Sequence, residues 1–125
     1  MSARPFGCEQ CFGDDGERAW IAIRRAHVAA LVEESHFSVR LTACACGQRF
    51  AVVFAERIDW SGGEDDMTWL AAPISVGEAK SLEAQGWEGL ASVVSGRRFL
   101  LRCYPTKGGL TAVWREGGFT IPWHD

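Results

Sequence analysis

The sequence predicts an α+β fold, with a mostly antiparallel sheet of about five strands, two helices and a pair of cysteine-rich turns. Three observations lead to this prediction: an amphipathic helical pattern near the N-terminus, short alternating segments separated by turn residues, and a second helical pattern between those segments. A chain of 125 residues has the usual length of one domain. We therefore expect a single domain over 1–125, with residues 1–5 disordered.

The first element is predicted as a helix over residues 17–34, ERAWIAIRRAHVAALVEE. Its large apolar residues fall on one broad face of a helical wheel, which is the pattern of a helix packed on a core. Arg24 and His27 fall within that face. The acidic GDDG before it is favourable at a helix N-terminus.

Two strands follow. Residues 37–42, FSVRLT, alternate apolar and polar side chains and predict a half-buried strand. Residues 49–58, RFAVVFAERI, are apolar on both faces and predict a central strand, with ACACGQ as the hairpin tip between the two. The acidic, glycine-rich DWSGGEDDMTW over 59–69 predicts a loop.

The C-terminal half predicts a helix followed by a meander. Ser75 and Glu78 have the spacing of a capping box for a helix over 73–87, and Gly86 suits its C-terminal cap. Residues 90–94 predict a further helical turn. Strands are expected in RRFLLRCY, LTAVWRE and FTIPW, with turns at PTKGG and GG.

Four of the five cysteines form two close pairs: Cys8 and Cys11 as C-x2-C, and Cys44 and Cys46 as C-x-C followed by Gly47. Zinc takes about four ligands at tetrahedral geometry, and thiolates at short spacing supply two from one tight turn. Glycine after the second pair tolerates the positive φ of such a turn. We predict a structural zinc ion at these four residues.

The two pairs resemble the knuckles of a zinc ribbon over residues 8–13 and 41–50, about one seventh of the chain. The resemblance implies zinc at the four cysteines, with the second knuckle capping a hairpin. Two features depart from the ribbon pattern: the second pair is one residue short of C-x2-C, and a predicted helix lies between the knuckles. Unligated thiols, a redox pair, and a ligand set using His36 or His124 remain alternatives. Cys103 is predicted as a small core residue.

The acidic segment and its flanking tryptophans are interpreted as a surface for a protein partner, with a merely solvated acidic loop as the alternative. Tryptophan beside acidic residues is typical of interface anchors, although both rings could instead pin the loop to the core. The predicted partner-binding residues are Asp59, Trp60, Glu64, Asp65, Asp66 and Trp69.

Glu56 shares a predicted strand face with apolar residues, where a carboxylate must be paired or protonated. Arg24 and His27 are the predicted partners in a structural ion pair. A functional cleft at Glu56 and a strand end that simply reaches solvent are the alternatives.

The net charge is −3 and no run of lysine or arginine exceeds two, so nucleic acid is not expected as a partner. No apolar stretch has the length of a membrane span, and the N-terminus lacks the apolar core of a signal peptide. We expect a cytoplasmic protein with reduced thiols.

These observations favour a small, zinc-stabilised bacterial protein that binds a protein partner, by analogy with immunity proteins that inhibit a toxin. No nucleophile elbow, phosphate-binding glycine loop or H-E-x-x-H helix occurs in the sequence. Two other functions remain open: a metal-assisted hydrolase that uses Glu56 and the loop acids, and a nucleic-acid-associated zinc ribbon.

Overall fold

The computed structural model describes residues 6–57, 66–104 and 112–119. Within these ranges the strands are β1 (Ala26–Glu34), β2 (Phe37–Ala43), β3 (Arg49–Arg57), β4 (Asp66–Ile74), β5 (Phe99–Tyr104) and β6 (Ala112–Arg115). The helices are α1 (Gly16–Ile23), α2 (Val76–Gln85) and α3 (Leu90–Val93), with a 3-10 turn at Trp87–Gly89. All strands form one antiparallel sheet in sequence order, which confirms the predicted α+β class.

Helices pack on both faces of the sheet, and successive side chains of each strand point to opposite faces. On one face α2 and α3 pack over the larger core, which includes Val39, Val53 and Leu70. On the other face, here called the α1 face, the helix α1 packs over Phe50 and Leu100. The central strand β3 is therefore buried on both sides, as its sequence predicts.

The predicted helix over 17–34 is wrong beyond Ile23. After a turn at Arg24 and Arg25, the chain forms β1, which pairs with β2 along the edge of the sheet. The pairing shifts register between His27 and Ala29 and again between Ala30 and Val32. Bulges of this kind are common on edge strands. Pairing with β2 therefore outweighs the helical propensity of this alanine-rich segment.

The capping residues Ser75 and Gly86, predicted from the sequence, mark the two ends of α2. The Ser75 hydroxyl accepts from the Glu78 amide at 3.0 Å, and the Glu78 carboxylate accepts from the Ser75 amide at 2.8 Å. This is the predicted capping box. Gly86 follows the helix with a φ of 102°. Arg97 adds a bidentate pair to the same carboxylate, at 2.7 and 2.6 Å.

The predicted acidic loop over 59–69 ends earlier than expected, because Asp66 and Trp69 belong to β4. Residues 58–65 lie outside the described ranges, and so does the predicted turn PTKGG. Of the last predicted strand, FTIPW, the structure describes Phe119 alone, which is buried. The helical turn predicted at 90–94 is confirmed as α3.

Candidate metal centre

The two cysteine pairs are brought together by different parts of the fold. Cys8 and Cys11 lie in the segment before α1, and Cys44 and Cys46 lie in the turn that joins β2 to β3. The second pair therefore caps a hairpin, as predicted. Their sulfur atoms all lie within 4.8 Å of one another.

Three of the six sulfur separations match the edges of a tetrahedral zinc site. The Sγ of Cys8 is 3.8 Å from those of Cys11 and Cys44, and the Sγ of Cys11 is 3.9 Å from that of Cys46. Four sulfurs at about 2.3 Å from a zinc ion would be about 3.8 Å apart along each edge of the tetrahedron. A disulfide would instead require about 2.05 Å. The arrangement thus has the dimensions of a four-thiolate site.

Glycines shape both turns. Gly7 has a φ of 66°, and a Cβ at this position would lie 2.5 Å from the Cys11 Sγ. Gly47 has a φ of 96° and closes the second turn by donating to the Cys44 carbonyl at 2.9 Å. Positive φ is readily adopted by glycine, so both positions favour it.

Gln48 joins the two knuckles, a role that the sequence analysis did not predict. Its side-chain oxygen accepts from the Gly7 amide at 3.0 Å, and its Nε2 donates to the Ile74 carbonyl at 2.7 Å. One amide side chain therefore ties the N-terminal segment to the second knuckle and to β4. The only signal in the sequence is its position two residues after Cys46.

The other side of the N-terminal segment is held by Arg98 and Trp114. The Trp114 indole donates to the Gly13 carbonyl at 2.6 Å, and the Arg98 guanidinium donates to the same carbonyl at 3.3 Å. Arg98 also lies over the rings of Phe12 and Trp114, at 4.9 and 4.0 Å from their centroids. These contacts fix the first knuckle against β5 and β6.

Burial and hydrogen bonding make the four thiols unequal. Cys11 and Cys44 are buried, Cys8 is half-buried and Cys46 is exposed. Burial raises the pKa of the Cys11 and Cys44 thiols, because the thiolate loses its hydration. The Cys11 backbone N–H lowers the pKa of the Cys8 thiol to about 7. A bound cation would stabilise all of the thiolates, because its positive charge would compensate for the hydration that they lose on burial.

Glu56 pairs with a different residue, and in a more exposed position, than the sequence predicted. Its carboxylate lies 2.7 Å from the Nδ1 of His36, and both side chains are partly exposed. The predicted partners Arg24 and His27 are wrong, because the chain leaves the helix at Ile23. Strand β2 lies between His36 and Cys44 in the chain, and the cysteine cluster does not include His36.

Cys103 lies apart from the cluster. It sits on β5, half-buried, with its Sγ 4.0 Å from the Thr68 hydroxyl. The prediction of a small core residue is therefore only partly correct, since the side chain is not fully buried.

The predicted partner surface is only partly described. Asp59, Trp60, Glu64 and Asp65 lie outside the described residues, as does His124. Trp69 lies on β4 and contacts the rings of Phe54 and Trp20, at centroid distances of 5.2 and 6.2 Å. It is therefore part of the sheet's α1 face and lies within a strand, where the sequence analysis placed it at the end of a loop; its role in partner binding stays a prediction.

Comparison with protein-family models, with curated proteins and with solved structures found no match to this chain. Of the helices that the structure describes, none is long and apolar enough to cross a membrane.

Proposed function

We propose that this chain is a small binding protein whose fold is stabilised by one structural metal ion, zinc, held by Cys8, Cys11, Cys44 and Cys46. The observation that carries the proposal is the clustering of the four sulfurs within 4.8 Å, with three of their six separations at 3.8 to 3.9 Å, the edge length of a tetrahedron around zinc. Four thiolates complete the coordination shell, which is the arrangement of structural rather than catalytic zinc sites.

The position of the cluster supports a structural role. The first knuckle precedes α1, and the second caps the β2–β3 hairpin, so a bound ion would cross-link segments more than thirty residues apart. Gln48, Arg98 and Trp114 already hold this segment in place. The ion would add the largest single contribution, on the order of 10 kcal/mol for structural zinc in small domains.

Metal analysis of the purified protein tests this proposal. We expect about one zinc per chain by elemental analysis, and a lower melting temperature after treatment with a chelator. Iron also accepts four thiolates, so visible absorption of the purified protein distinguishes coloured iron from colourless zinc. Cobalt substitution should give the intense visible bands of a tetrahedral thiolate site.

Cysteine variants provide the matched control. Cys11→Ser should lose the metal and lower the melting temperature, because it removes a buried ligand. Cys103→Ser should retain the metal, since Cys103 lies outside the cluster. A metal-free protein that melts at the same temperature as the zinc-loaded protein would refute the proposal.

A protein partner at the acidic segment 59–66 remains our proposal for what the molecule binds. It is supported by the cluster of acids in the sequence and by the overall negative charge. Such a surface would attract a basic partner, with an association rate that falls as salt increases. Reversing Asp65 to lysine should slow association with that partner at low salt.

A further inference from the structure

The α1 face of the sheet is not fully covered by α1, and the uncovered part forms a groove of about 440 Å³. We call it the tryptophan groove. Its floor consists of side chains from three adjacent strands, Ser38, Arg40, Thr42, Phe54 and Trp69. Trp20 and Arg24, at the end of α1, and His27, at the start of β1, form its wall. The volume falls within the range of small-molecule sites.

Aromatic rings line one part of the groove. The Trp69 ring lies 5.2 Å from Phe54 and 6.2 Å from Trp20, measured between ring centroids. Trp69 is only partly buried, so part of its ring surface is accessible from the groove. Such a surface suits a flat ring, since stacking on an indole is tolerant of the ring's exact chemistry.

Cationic side chains lie beside these rings. Arg24 is exposed, with its guanidinium 5.0 Å from the Trp20 centroid. Arg40 pairs with Glu33, but both side chains are half exposed, and a surface pair of this kind contributes little and can be exchanged. Arg102 lies 5.4 Å from the centroids of both Trp20 and Trp69. Among the described lining residues none is acidic, although the whole chain has a net charge of −3.

Two buried polar atoms have no hydrogen-bond partner among the described residues: the hydroxyl of Thr42, and the Nε of Arg102, which lies beside the groove without lining it. Thr42 is more than nine-tenths buried and lines the groove. Buried polar groups in native proteins nearly always have a partner, either protein, water or ligand. The Thr42 oxygen is itself enclosed by protein, so it can contact a ligand in the groove only after its side chain changes rotamer.

We propose that the tryptophan groove binds a small organic anion in which a flat ring carries a phosphate, the chemical class of a nucleoside monophosphate. The ring stacks on Trp69. The phosphate pairs with Arg40 and Arg24, since guanidinium groups bind phosphate oxygens in a bidentate manner. After such a rotamer change, the Thr42 hydroxyl hydrogen-bonds to the sugar or the phosphate.

Calorimetric titration of the purified, metal-containing chain tests the proposal. The probes are adenosine monophosphate and uridine monophosphate. The controls are adenosine, which lacks the phosphate, and ribose 5-phosphate, which lacks the flat ring. We expect saturable binding of one monophosphate per chain. Each control should bind at least about tenfold more weakly, because each lacks one of the two recognised groups.

Variants show whether binding occurs in this groove. Arg40→Ala and Trp69→Leu should each weaken binding about tenfold or more, and Thr42→Val should weaken it less. Arg25→Ala is the matched control: it is exposed and adjacent to Arg24, but does not line the groove, so its effect should be below about twofold. Melting curves of each variant exclude unfolding as the cause of a loss.

Three results would overturn the proposal. One is the absence of monophosphate binding at millimolar concentration. Another is an equal loss of affinity in Arg25→Ala and Arg40→Ala, which would indicate a general charge effect. The last is an oligonucleotide that binds about a hundredfold more tightly than any monophosphate, which would assign the groove to a nucleic-acid strand. Saturable monophosphate binding by a purified chain that contains no metal would contradict only the metal proposal.

Discussion

Replacing Glu78 with glutamine should destabilise the protein by about 1–2 kcal/mol at neutral pH. The Glu78 carboxylate accepts two hydrogen bonds from the Arg97 guanidinium, at 2.7 and 2.6 Å, and one from the Ser75 amide at 2.8 Å. Glutamine can still complete a capping box, so this variant isolates the charge pair from the helix cap. Arg97 also donates to the Pro73 carbonyl, which holds the guanidinium in position.

The expected loss of about 1–2 kcal/mol follows from the lowered pKa of the Glu78 carboxyl. The hydrogen bonds from Arg97 lower the pKa of Glu78 from 4.5 to about 2. Such a difference corresponds to about 3 kcal/mol of stabilisation at neutral pH. Because the Glu78 side chain is 29% exposed, solvent screening reduces this to roughly half.

The sign of the pH dependence is also fixed. A carboxyl whose pKa is lowered by folding stabilises the native state fully above its unfolded value of 4.5, and the stabilisation is lost as the pH falls towards 2. The difference in unfolding free energy between parent and Glu78→Gln should therefore shrink between pH 4.5 and 2. Comparing the two proteins at each pH cancels the other effects of acid, including release of metal.

Urea unfolding of both proteins at neutral and acidic pH is the assay, with Glu83→Gln as the control. Glu83 is an exposed residue of the same helix, and its replacement should change stability by less than about 0.5 kcal/mol. If Glu78→Gln were as stable as the parent at neutral pH, the Arg97 pair would not be formed in solution. A destabilisation that did not depend on pH would refute its electrostatic origin.

Two further predictions concern the pair at His36 and the first knuckle. Glu56→Ala and His36→Ala should each lower the free energy of unfolding in urea by less than about 1 kcal/mol, because the pair is partly exposed. A loss of about 3 kcal/mol would show instead that Glu56 is paired in the core. Gly7→Ala should lower zinc affinity by about tenfold or more in competition with a chelator, because the added Cβ would collide with the Cys11 Sγ. At Gly47 an added Cβ would meet no atom within 4 Å, so Gly47→Ala should cost only the backbone strain of about 1–2 kcal/mol. Equal zinc affinity in the two glycine variants would contradict this assignment.

The parts of the fold that were predicted correctly depend on local signals. The capping box at Ser75 and Glu78 and the alternation in β2 lie within a few residues of the elements they define. The alternation predicted the strand but not its burial, since β2 is buried on both faces except at Arg40. The same holds for the cysteine pairs, whose short spacing predicts a knuckle without knowledge of the tertiary structure. Predicting that the two knuckles lie together needed one further assumption, namely that both cysteine pairs bind the same metal ion.

The errors arose where distant residues decide the outcome. Strand β1 has the composition of a helix, and only its pairing with β2 makes it a strand. This error also misassigned Arg24 and His27, which were expected to pair with Glu56. The tryptophan groove could not have been predicted, since its residues come from α1 and four strands and share no spacing pattern.

The order of the strands has a consequence for how the chain acquires its structure during synthesis. Each strand pairs with the next one along the chain, so hairpins can form one after another as the polypeptide leaves the ribosome. All four cysteines and Gln48 are present once the first 48 residues have emerged. Arg98 and Trp114, by contrast, reach back across 85 and 101 residues to Gly13. We expect the nascent chain to be able to bind the proposed metal ion early, and to dock the segment before α1 only when β6 has been made.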